Sequence, residues 1–302
     1  MDNSKFYGIY TPVISPCDEN DKFLLDCFEA NIRRLYKAGI NGLYVCGGTG
    51  DAFRLRAEER KKAAETAVSL SKEFGGNAII HVGATHQRDS VELAEHAASI
   101  GALGISSIPP AGLGQSQTVD YYKTIAKASG LPVLVYHIPA VTFRHPSMEQ
   151  LVELLDVEGV VGLKMTDWNL FLLRRLLIER PDIVVYNGYD ELVCLGMLYG
   201  AQGSIGTWQN LFPEMYVKLY NRMKAGETNA AADIQKTFMD FLNIGWKHGI
   251  VEVFEALMRE MGYAERCFRK PYSELKPGVF ESILPQLREK MDAIVAKVAE
   301  VG

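Results

Sequence analysis

Short runs of apolar and β-branched residues recur along the chain, and each is followed by a segment in which apolar residues return at helical spacing. Several of these runs are apolar at consecutive positions, which is typical of parallel strands that are covered on both faces. We predict strands from this pattern at residues 8–14, 41–46, 78–83, 103–108, 131–136, 160–165, 182–187 and 202–206.

The segments between the predicted strands have the features of amphipathic helices. Between the first two strands, apolar residues from Leu24 to Leu35 repeat at helical spacing, and Gly39 stands where a C-terminal cap is expected. This alternation predicts an α/β fold, a (β/α)8 TIM barrel over residues 1–225. A doubly wound open sheet is the alternative fold, but the first strand is not followed by a GxGxxG turn.

Residues 226–302 continue the helical pattern without a further strand signal. Apolar periodicity predicts three appended helices, within residues 229–249, 251–262 and 284–300. Because no low-complexity linker separates them from the barrel, we expect the barrel and this C-terminal extension to form one folded unit.

The composition narrows the class of protein. The 302 residues carry a formal net charge of −5, and Lys and Arg are spread along the chain, so no nucleic-acid partner is expected. No apolar run reaches the roughly 18–20 residues of a membrane span, and the N-terminus lacks a signal-peptide pattern. Five scattered cysteines without a CxxC pair favour reduced thiols in the cytoplasm. The histidines show no metal-ligand spacing, so no metal is expected.

Lys164 is a charged residue within the apolar strand of the segment GLKMTDW. Burial penalises an ammonium, and a neutral amine is a nucleophile that can form a Schiff base with a ketone. The structural alternatives are a lysine that extends to solvent at the strand end, or one that pairs with Asp167. Strand alternation places Asp167 on the face opposite Lys164 and Thr166, so we leave it out of the site.

Other strand ends carry further candidate groups, because the catalytic groups of a barrel project from the carboxyl ends of its strands. Tyr136 closes the fifth strand, either as a proton shuttle or as an ordinary strand aromatic. The GGTGD loop at 47–51 follows the second strand, either as an anion cradle or as a tight turn. Asp190 and Glu191 follow the seventh, either as hydroxyl acceptors or as first-turn helix acids.

Four segments, GGTGD, YHIPA, GLKMT and NGYDE, occur in one order along the chain. Together they resemble the pyruvate-dependent class I aldolases of the N-acetylneuraminate lyase and dihydrodipicolinate synthase family, with the closer match to the N-acetylneuraminate lyase branch. The resemblance spans essentially the whole chain. It implies a TIM barrel with a C-terminal helical extension, a homotetramer, and no metal or organic cofactor.

The resemblance also implies roles for individual residues. Lys164 corresponds to the Schiff-base lysine, and Tyr136 to the catalytic tyrosine of the YNxP motif, which reads YHIP here. Gly48 and Thr49 correspond to the loop that binds the keto-acid carboxylate. The positions that resemble polyol contacts are Thr166, Gly188, Asp190, Glu191 and Thr207.

The departures from the family pattern bear on the activity. Gly48 replaces a hydroxyl residue of the family loop, which removes one member of the usual proton relay, and the aromatic pair after the fourth strand is absent. Val141 stands where dihydrodipicolinate synthases carry an arginine for a second carboxylate. The related keto-deoxy sugar acid dehydratases share a GGTG loop, but their lysine is usually followed by Asp-Gly, whereas this chain has Met165 and Thr166.

From these residues we expect a lyase of carbohydrate metabolism that cleaves a 2-keto-3-deoxy sugar acid, such as N-acetylneuraminate, to pyruvate and an aldehyde. We expect it to bind a small-molecule keto acid and an aldehyde, and we expect no association with a membrane. A dehydratase using the same Schiff base is the alternative. Dihydrodipicolinate synthase is disfavoured by Val141, and a non-catalytic sugar-acid sensor is disfavoured by Lys164 and Tyr136.

Overall fold

A closed parallel β-barrel forms the centre of the computed structural model, which describes residues 3–301. Each strand pairs with the next in chain order, and the last strand pairs with the first. The prediction of a (β/α)8 TIM barrel is therefore confirmed. The strands are β1 (Gly8–Pro12), β2 (Gly42–Val45), β3 (Asn77–His81), β4 (Gly104–Ser107), β5 (Val133–His137), β6 (Val160–Met165), β7 (Val184–Asn187) and β8 (Gly203–Ser204).

The consecutive apolar positions of the strands are explained by two separate cores. In β5, Leu134 and Tyr136 pack with the side chains that fill the barrel interior. Val133 and Val135 instead pack with the layer between the barrel and its helices. Because successive side chains of a strand point to opposite faces, both faces must be apolar to satisfy both cores.

Helices surround the barrel, and those that follow β1 to β4 each bring the chain back to the next parallel strand. Their ends carry ordinary capping signals: Ser147 accepts a hydrogen bond from the Gln150 backbone N–H, and Gly130 adopts a left-handed conformation with φ 62°. The helices are α1 (Leu25–Lys37), α2 (Ala57–Glu73), α3 (Gln87–Ser99), α4 (Gln115–Ser129), α5 (Pro139–Thr142), α6 (Met148–Leu155), α7 (Leu170–Glu179), α8 (Val193–Leu198), α9 (Pro213–Lys224), α10 (Thr228–His248), α11 (Ile250–Glu260) and α12 (Val279–Glu300). Short 3-10 helices lie at Ser4–Phe6, Asp190–Leu192 and Thr207–Asn210.

The C-terminal extension contains α10, α11 and α12. Helix α10 packs against α9, α11 and α12, so the extension is continuous with the helical layer of the barrel. The segment between α11 and α12 is tied to the loop after β2, where the backbone N–H of Arg269 donates to Asp51 Oδ2 at 2.9 Å. This contact brings the extension to the carboxyl ends of the strands.

No helix in the described part of the chain is long and apolar enough to span a membrane. The five cysteines are free thiols.

Candidate active site

Lys164 and Tyr136 lie in contact at the carboxyl ends of neighbouring strands. The register of β5 and β6 places Tyr136 beside Lys164. Lys164 Nζ donates a hydrogen bond to the phenol oxygen of Tyr136 at 3.0 Å. Both side chains are buried, with exposed fractions of 4% for Lys164 and 5% for Tyr136. An amine and a phenol held together out of water form a pair suited to proton transfer at a reacting carbonyl.

The lysine amine lies close to the rings of two tyrosines. Lys164 Nζ lies 4.8 Å from the ring centroid of Tyr44 and 4.2 Å from that of Tyr136. The Tyr44 hydroxyl donates to Ser106 Oγ at 2.9 Å, which fixes its ring inside the barrel. Tyr44 was not among the residues predicted from the sequence. Strand alternation places Tyr44 on the face opposite Leu43 and Val45, inside the barrel, but does not show whether its ring packs in the core or contacts the lysine.

The GGTGD loop approaches the lysine–tyrosine pair through its glycines. A Cβ atom on Gly47 would lie 2.4 Å from the ring of Tyr44, so only glycine fits there. A Cβ atom on Gly48 would lie 3.8 Å from the phenol oxygen of Tyr136, an ordinary contact distance. Next to it, the hydroxyls of Thr49 and Thr207 lie 2.8 Å apart and share a hydrogen bond.

Thr166 and Gly188 form the wall of the site on the β7 side. A Cβ atom on Gly188 would lie 2.0 Å from Thr166 Oγ1, so the backbone after β7 packs directly on this threonine. Thr166 is buried, and among the described residues its hydroxyl has no hydrogen-bond partner. A buried hydroxyl without a partner is costly, and this one is enclosed against the backbone of Gly188.

Asp190 has its carboxylate directed into the protein. Oδ1 accepts a hydrogen bond from the Tyr216 hydroxyl, and Oδ2 accepts one from the Trp208 backbone N–H at 3.3 Å. A Cβ atom on Gly206 would lie 2.0 Å from Oδ1, so the turn after β8 also packs against this carboxylate. Desolvation by burial raises the pKa of Asp190 to about 7. Asp190 therefore fastens the loop after β7 to α9 and to the turn after β8.

Glu191 lies at the outer part of the site and contacts the C-terminal extension. The indole N–H of Trp246, near the end of α10, donates to Glu191 Oε1 at 3.2 Å. Burial raises the pKa of the Glu191 carboxyl. Trp246 was not predicted from the sequence, because an aromatic residue within an amphipathic helix is ordinarily part of the core.

All nine residues singled out in the sequence line one cavity of about 310 Å³: Lys164, Tyr136, Gly48, Thr49, Thr166, Gly188, Asp190, Glu191 and Thr207. The extension contributes a further, mostly apolar wall to the same cavity, formed by Trp246, Ile250, Val251, Phe254, Phe268 and Tyr272. The cavity is therefore built by the barrel and closed by the extension.

Asp167 does not reach Lys164 but pairs with His137. His137 Nε2 and Asp167 Oδ2 lie 2.9 Å apart, and Asp167 Oδ1 accepts the backbone N–H of Asn169 at 3.0 Å. Burial lowers the pKa of His137. The pair joins the ends of β5 and β6 from the side opposite the lysine. Within residues 3–301, no three His, Cys, Asp or Glu side chains come together as metal ligands would.

A (β/α)8 barrel that holds a buried lysine against a tyrosine at the carboxyl ends of its strands falls in the class of α/β-barrel enzymes. Residues 5–289 match the model of the dihydrodipicolinate synthetase family. The chain belongs to this family, and the resemblance read from its four motifs is confirmed.

Relatives in this family are similar to the chain over nearly its whole length. An N-acetylneuraminate lyase of Rhizobium meliloti is 32% identical over 295 residues, covering 97% of this chain and 96% of its own. N-acetylneuraminate lyase 2 of Escherichia coli O6:H1 is 30% identical, covering 95% of both chains. The crystal structure of N-acetylneuraminate lyase from Fusobacterium nucleatum superposes with a TM-score of 0.87 at 26% identity, covering 96% of this chain and 99% of its own. These similarities indicate a carbon–carbon lyase.

Proposed function

We propose that the protein is a class I lyase that cleaves a 2-keto-3-deoxy sugar acid, such as N-acetylneuraminate, through a Schiff base on Lys164. The observation that carries the proposal is the 3.0 Å contact between Lys164 Nζ and the Tyr136 hydroxyl within the buried cavity. The similarity to N-acetylneuraminate lyases supports the choice of substrate class.

The reaction begins with attack of the Lys164 amine nitrogen on the C2 ketone. The C2 oxygen takes one proton from the attacking nitrogen and one from Tyr136 and leaves as water, and the lysine becomes an iminium that can accept electrons. The resulting phenolate accepts the proton of the C4 hydroxyl as the C3–C4 bond breaks and the aldehyde departs. Protonation of the enamine at C3 and hydrolysis of the imine release pyruvate and restore the amine.

The substrate carboxylate is held by the loop after β2. Gly48 and Thr49 lie beside the Lys164–Tyr136 pair, and the Thr49 hydroxyl is oriented by Thr207. Backbone N–H groups of a glycine-rich turn and a threonine hydroxyl are suitable donors for a carboxylate. Because Gly48 has no hydroxyl, protons reach Tyr136 through Thr49, water or the substrate itself.

The same Schiff base supports a second candidate reaction, the dehydration of a keto-deoxy sugar acid. It is favoured by Gly48, which leaves the proton relay of the lyases without its hydroxyl. Product analysis separates the two reactions, because the lyase yields pyruvate plus an aldehyde and the dehydratase yields a single deoxygenated keto acid. Dihydrodipicolinate synthesis is disfavoured, because Val141 lines the cavity mouth where that enzyme carries an arginine.

Borohydride reduction in the presence of pyruvate tests the Schiff base directly. We expect the protein to gain the mass of one reduced pyruvate adduct per chain, located on the peptide that contains Lys164. Lys164→Ala should neither gain mass nor turn over substrate. An unchanged mass of the parent protein, or turnover by Lys164→Ala, would refute the mechanism.

We also propose that the chain assembles as a homotetramer in the cytoplasm. Helices α7 and α8 expose large apolar side chains, with exposed fractions of 72% for Phe171 and 60% for Leu198. Such side chains are common where subunits pack together. Sedimentation of the purified protein tests the tetramer, and cell fractionation tests the location. A monomer at micromolar concentration would contradict the assembly.

A further inference from the structure

Trp246 reaches the cavity from outside the barrel. It lies in the last turn of α10, and the chain reverses at Gly249, whose φ of +105° suits glycine, before α11 begins at Ile250. The reversal is tight, because a Cβ atom on Gly245 would lie 2.8 Å from Ile250 Cδ1. Trp246 is 53% exposed and stands at the mouth of the cavity, whereas Lys164 is 4% exposed and lies at its base.

The hydrogen bond from Trp246 fixes the carboxylate of Glu191 in the cavity wall. The indole N–H is a donor only, and it meets Glu191 Oε1 at 3.2 Å. A carboxylate offers about four acceptor positions, so this bond orients Glu191 without exhausting its capacity. A side chain held in one rotamer binds a ligand hydroxyl at a smaller entropic cost than a free one.

The charges of the cavity limit the fragment that can occupy its outer part. Lys164 is the one basic side chain among the described residues that line it, and the proposed reaction uses that amine at the C2 carbon. The outer part instead presents the carboxylate of Glu191 beside apolar side chains of the extension. A phosphate or second carboxylate would find no cationic partner there, whereas a hydroxyl would find an acceptor.

We propose that Trp246 is a specificity-determining residue, which positions Glu191 to accept a distal hydroxyl of an aldehyde fragment that bears no phosphate or carboxylate. This inference rests on the proposed lyase function. It concerns only the fragment beyond the bond that breaks, because Trp246 stands at the mouth and the Schiff base forms at the base of the cavity. Trp246 therefore acts on the KM for the aldehyde and not on imine formation.

The test follows aldol addition of pyruvate to N-acetylmannosamine, mannose and glyceraldehyde, with Trp246→Phe as the informative variant. Phenylalanine keeps an aromatic ring but removes the N–H donor. We expect the KM for N-acetylmannosamine and mannose to rise about tenfold, because the variant loses a hydrogen bond to a charged group. The kcat should stay within about twofold of that of the parent protein. The short glyceraldehyde should keep its KM. Glyceraldehyde bearing a phosphate should bind no better than glyceraldehyde.

A double-variant cycle shows whether Trp246 acts through Glu191. Glu191→Ala should raise the KM for both hexoses, and adding Trp246→Phe should then change it no further. Trp168→Phe is the matched control, because Trp168 is 55% exposed and stacks on Tyr189 but does not line the cavity. We expect the control to keep the KM values of the parent protein.

The experimental outcomes distinguish failure of the Trp246 proposal from failure of the proposed lyase function. If the parent protein fails to trap pyruvate on borohydride reduction, the proposed function fails. The role of Trp246 is overturned if pyruvate is trapped but Trp246→Phe and Trp168→Phe change the KM values equally. It is also overturned if the effects of Trp246→Phe and Glu191→Ala on the KM are additive in free energy. A parent enzyme that uses glyceraldehyde alone, or prefers its phosphate, would likewise overturn it.

Discussion

Gly48 lies beside the phenol of Tyr136 at the position where the family loop carries a hydroxyl side chain. A Cβ atom there would lie 3.8 Å from the phenol oxygen, so a serine fits without displacing its neighbours. We expect Gly48→Ser to raise the kcat of a lyase by roughly tenfold, because a positioned hydroxyl supplies a proton path to Tyr136. Steady-state release of pyruvate from the sugar acid measures the effect.

Gly48→Ala separates the hydroxyl from the added bulk. It places the same Cβ atom beside Tyr136 without an exchangeable proton, and we expect its kcat to stay near that of the parent protein. Equal rates for the serine and alanine variants would show that the loop hydroxyl has no part in the proton path. A fall in rate with serine alone would favour the dehydratase.

Asp190 makes the stability of the protein depend on pH in a defined direction. Its folded pKa is raised from 3.8 to about 7, so between these values the folded state binds a proton that the unfolded state lacks. This contribution to the stability is therefore present at low pH and is lost as the pH rises from about 4 to about 7. A shift of this size corresponds to on the order of 2–4 kcal/mol.

Urea unfolding of Asp190→Asn at pH 5 and pH 8 tests this linkage. Asparagine does not ionise, so the stability of the parent protein relative to the variant should fall on going to the higher pH. Asp120→Asn is the control, because the side chain of Asp120 is 74% exposed. Parallel pH profiles for the parent protein and Asp190→Asn would show that Asp190 keeps an ordinary pKa in the folded protein.

At the scale of the elements, the loop after β2 is fixed by a buried ionic network. Asp51 Oδ2 accepts the backbone N–H of Arg269, whose guanidinium lies 3.7 Å away, and Asp51 Oδ1 pairs with Arg54 at 2.6 Å. Arg269→Gln should destabilise the protein by about 3 kcal/mol, because it removes a buried partner of a carboxylate. It should also raise the KM for pyruvate, because this loop is the proposed carboxylate cradle.

Arg54→Gln is the comparison for this element. Arg54 is partly exposed, so its loss should cost about 1 kcal/mol or less. Urea unfolding and pyruvate-dependent borohydride trapping measure the two effects. If Arg269→Gln is no less stable than Arg54→Gln, the loop does not depend on the extension.

The strands could be predicted from the sequence because parallel strands buried on both faces leave continuous apolar runs, of which 131–136 is a clear example. Lys164 could be found because a charge breaks such a run. The roles of Tyr44 and Trp246 could not be predicted. In the sequence, an aromatic residue of a strand or an amphipathic helix shows the same pattern whether it packs in a core or lines a cavity. The direction of the Asp190 carboxylate depends on Tyr216, 26 residues away in sequence, which no local pattern reveals.

At the scale of the whole molecule, the barrel and the extension share a core. Phe241 of α10 is fully buried, and its ring centroid lies 5.2 Å from that of Trp208 and 4.9 Å from that of Phe212, both of which precede the extension. The same extension carries Trp246 and Phe254 to the cavity. Folding of the extension and formation of the site should therefore occur together.

Phe241→Ala tests this coupling in the full chain. Removing a buried phenylalanine should destabilise the protein by about 3–5 kcal/mol. Far-UV circular dichroism and pyruvate trapping, followed across a urea titration, should lose their signals at one shared, lowered midpoint, because the site and the helices unfold together. Val295→Ala, at a side chain that is 66% exposed, should leave both midpoints unchanged. Trapping that persists after part of the helical signal is lost would show that the barrel keeps its site without the extension.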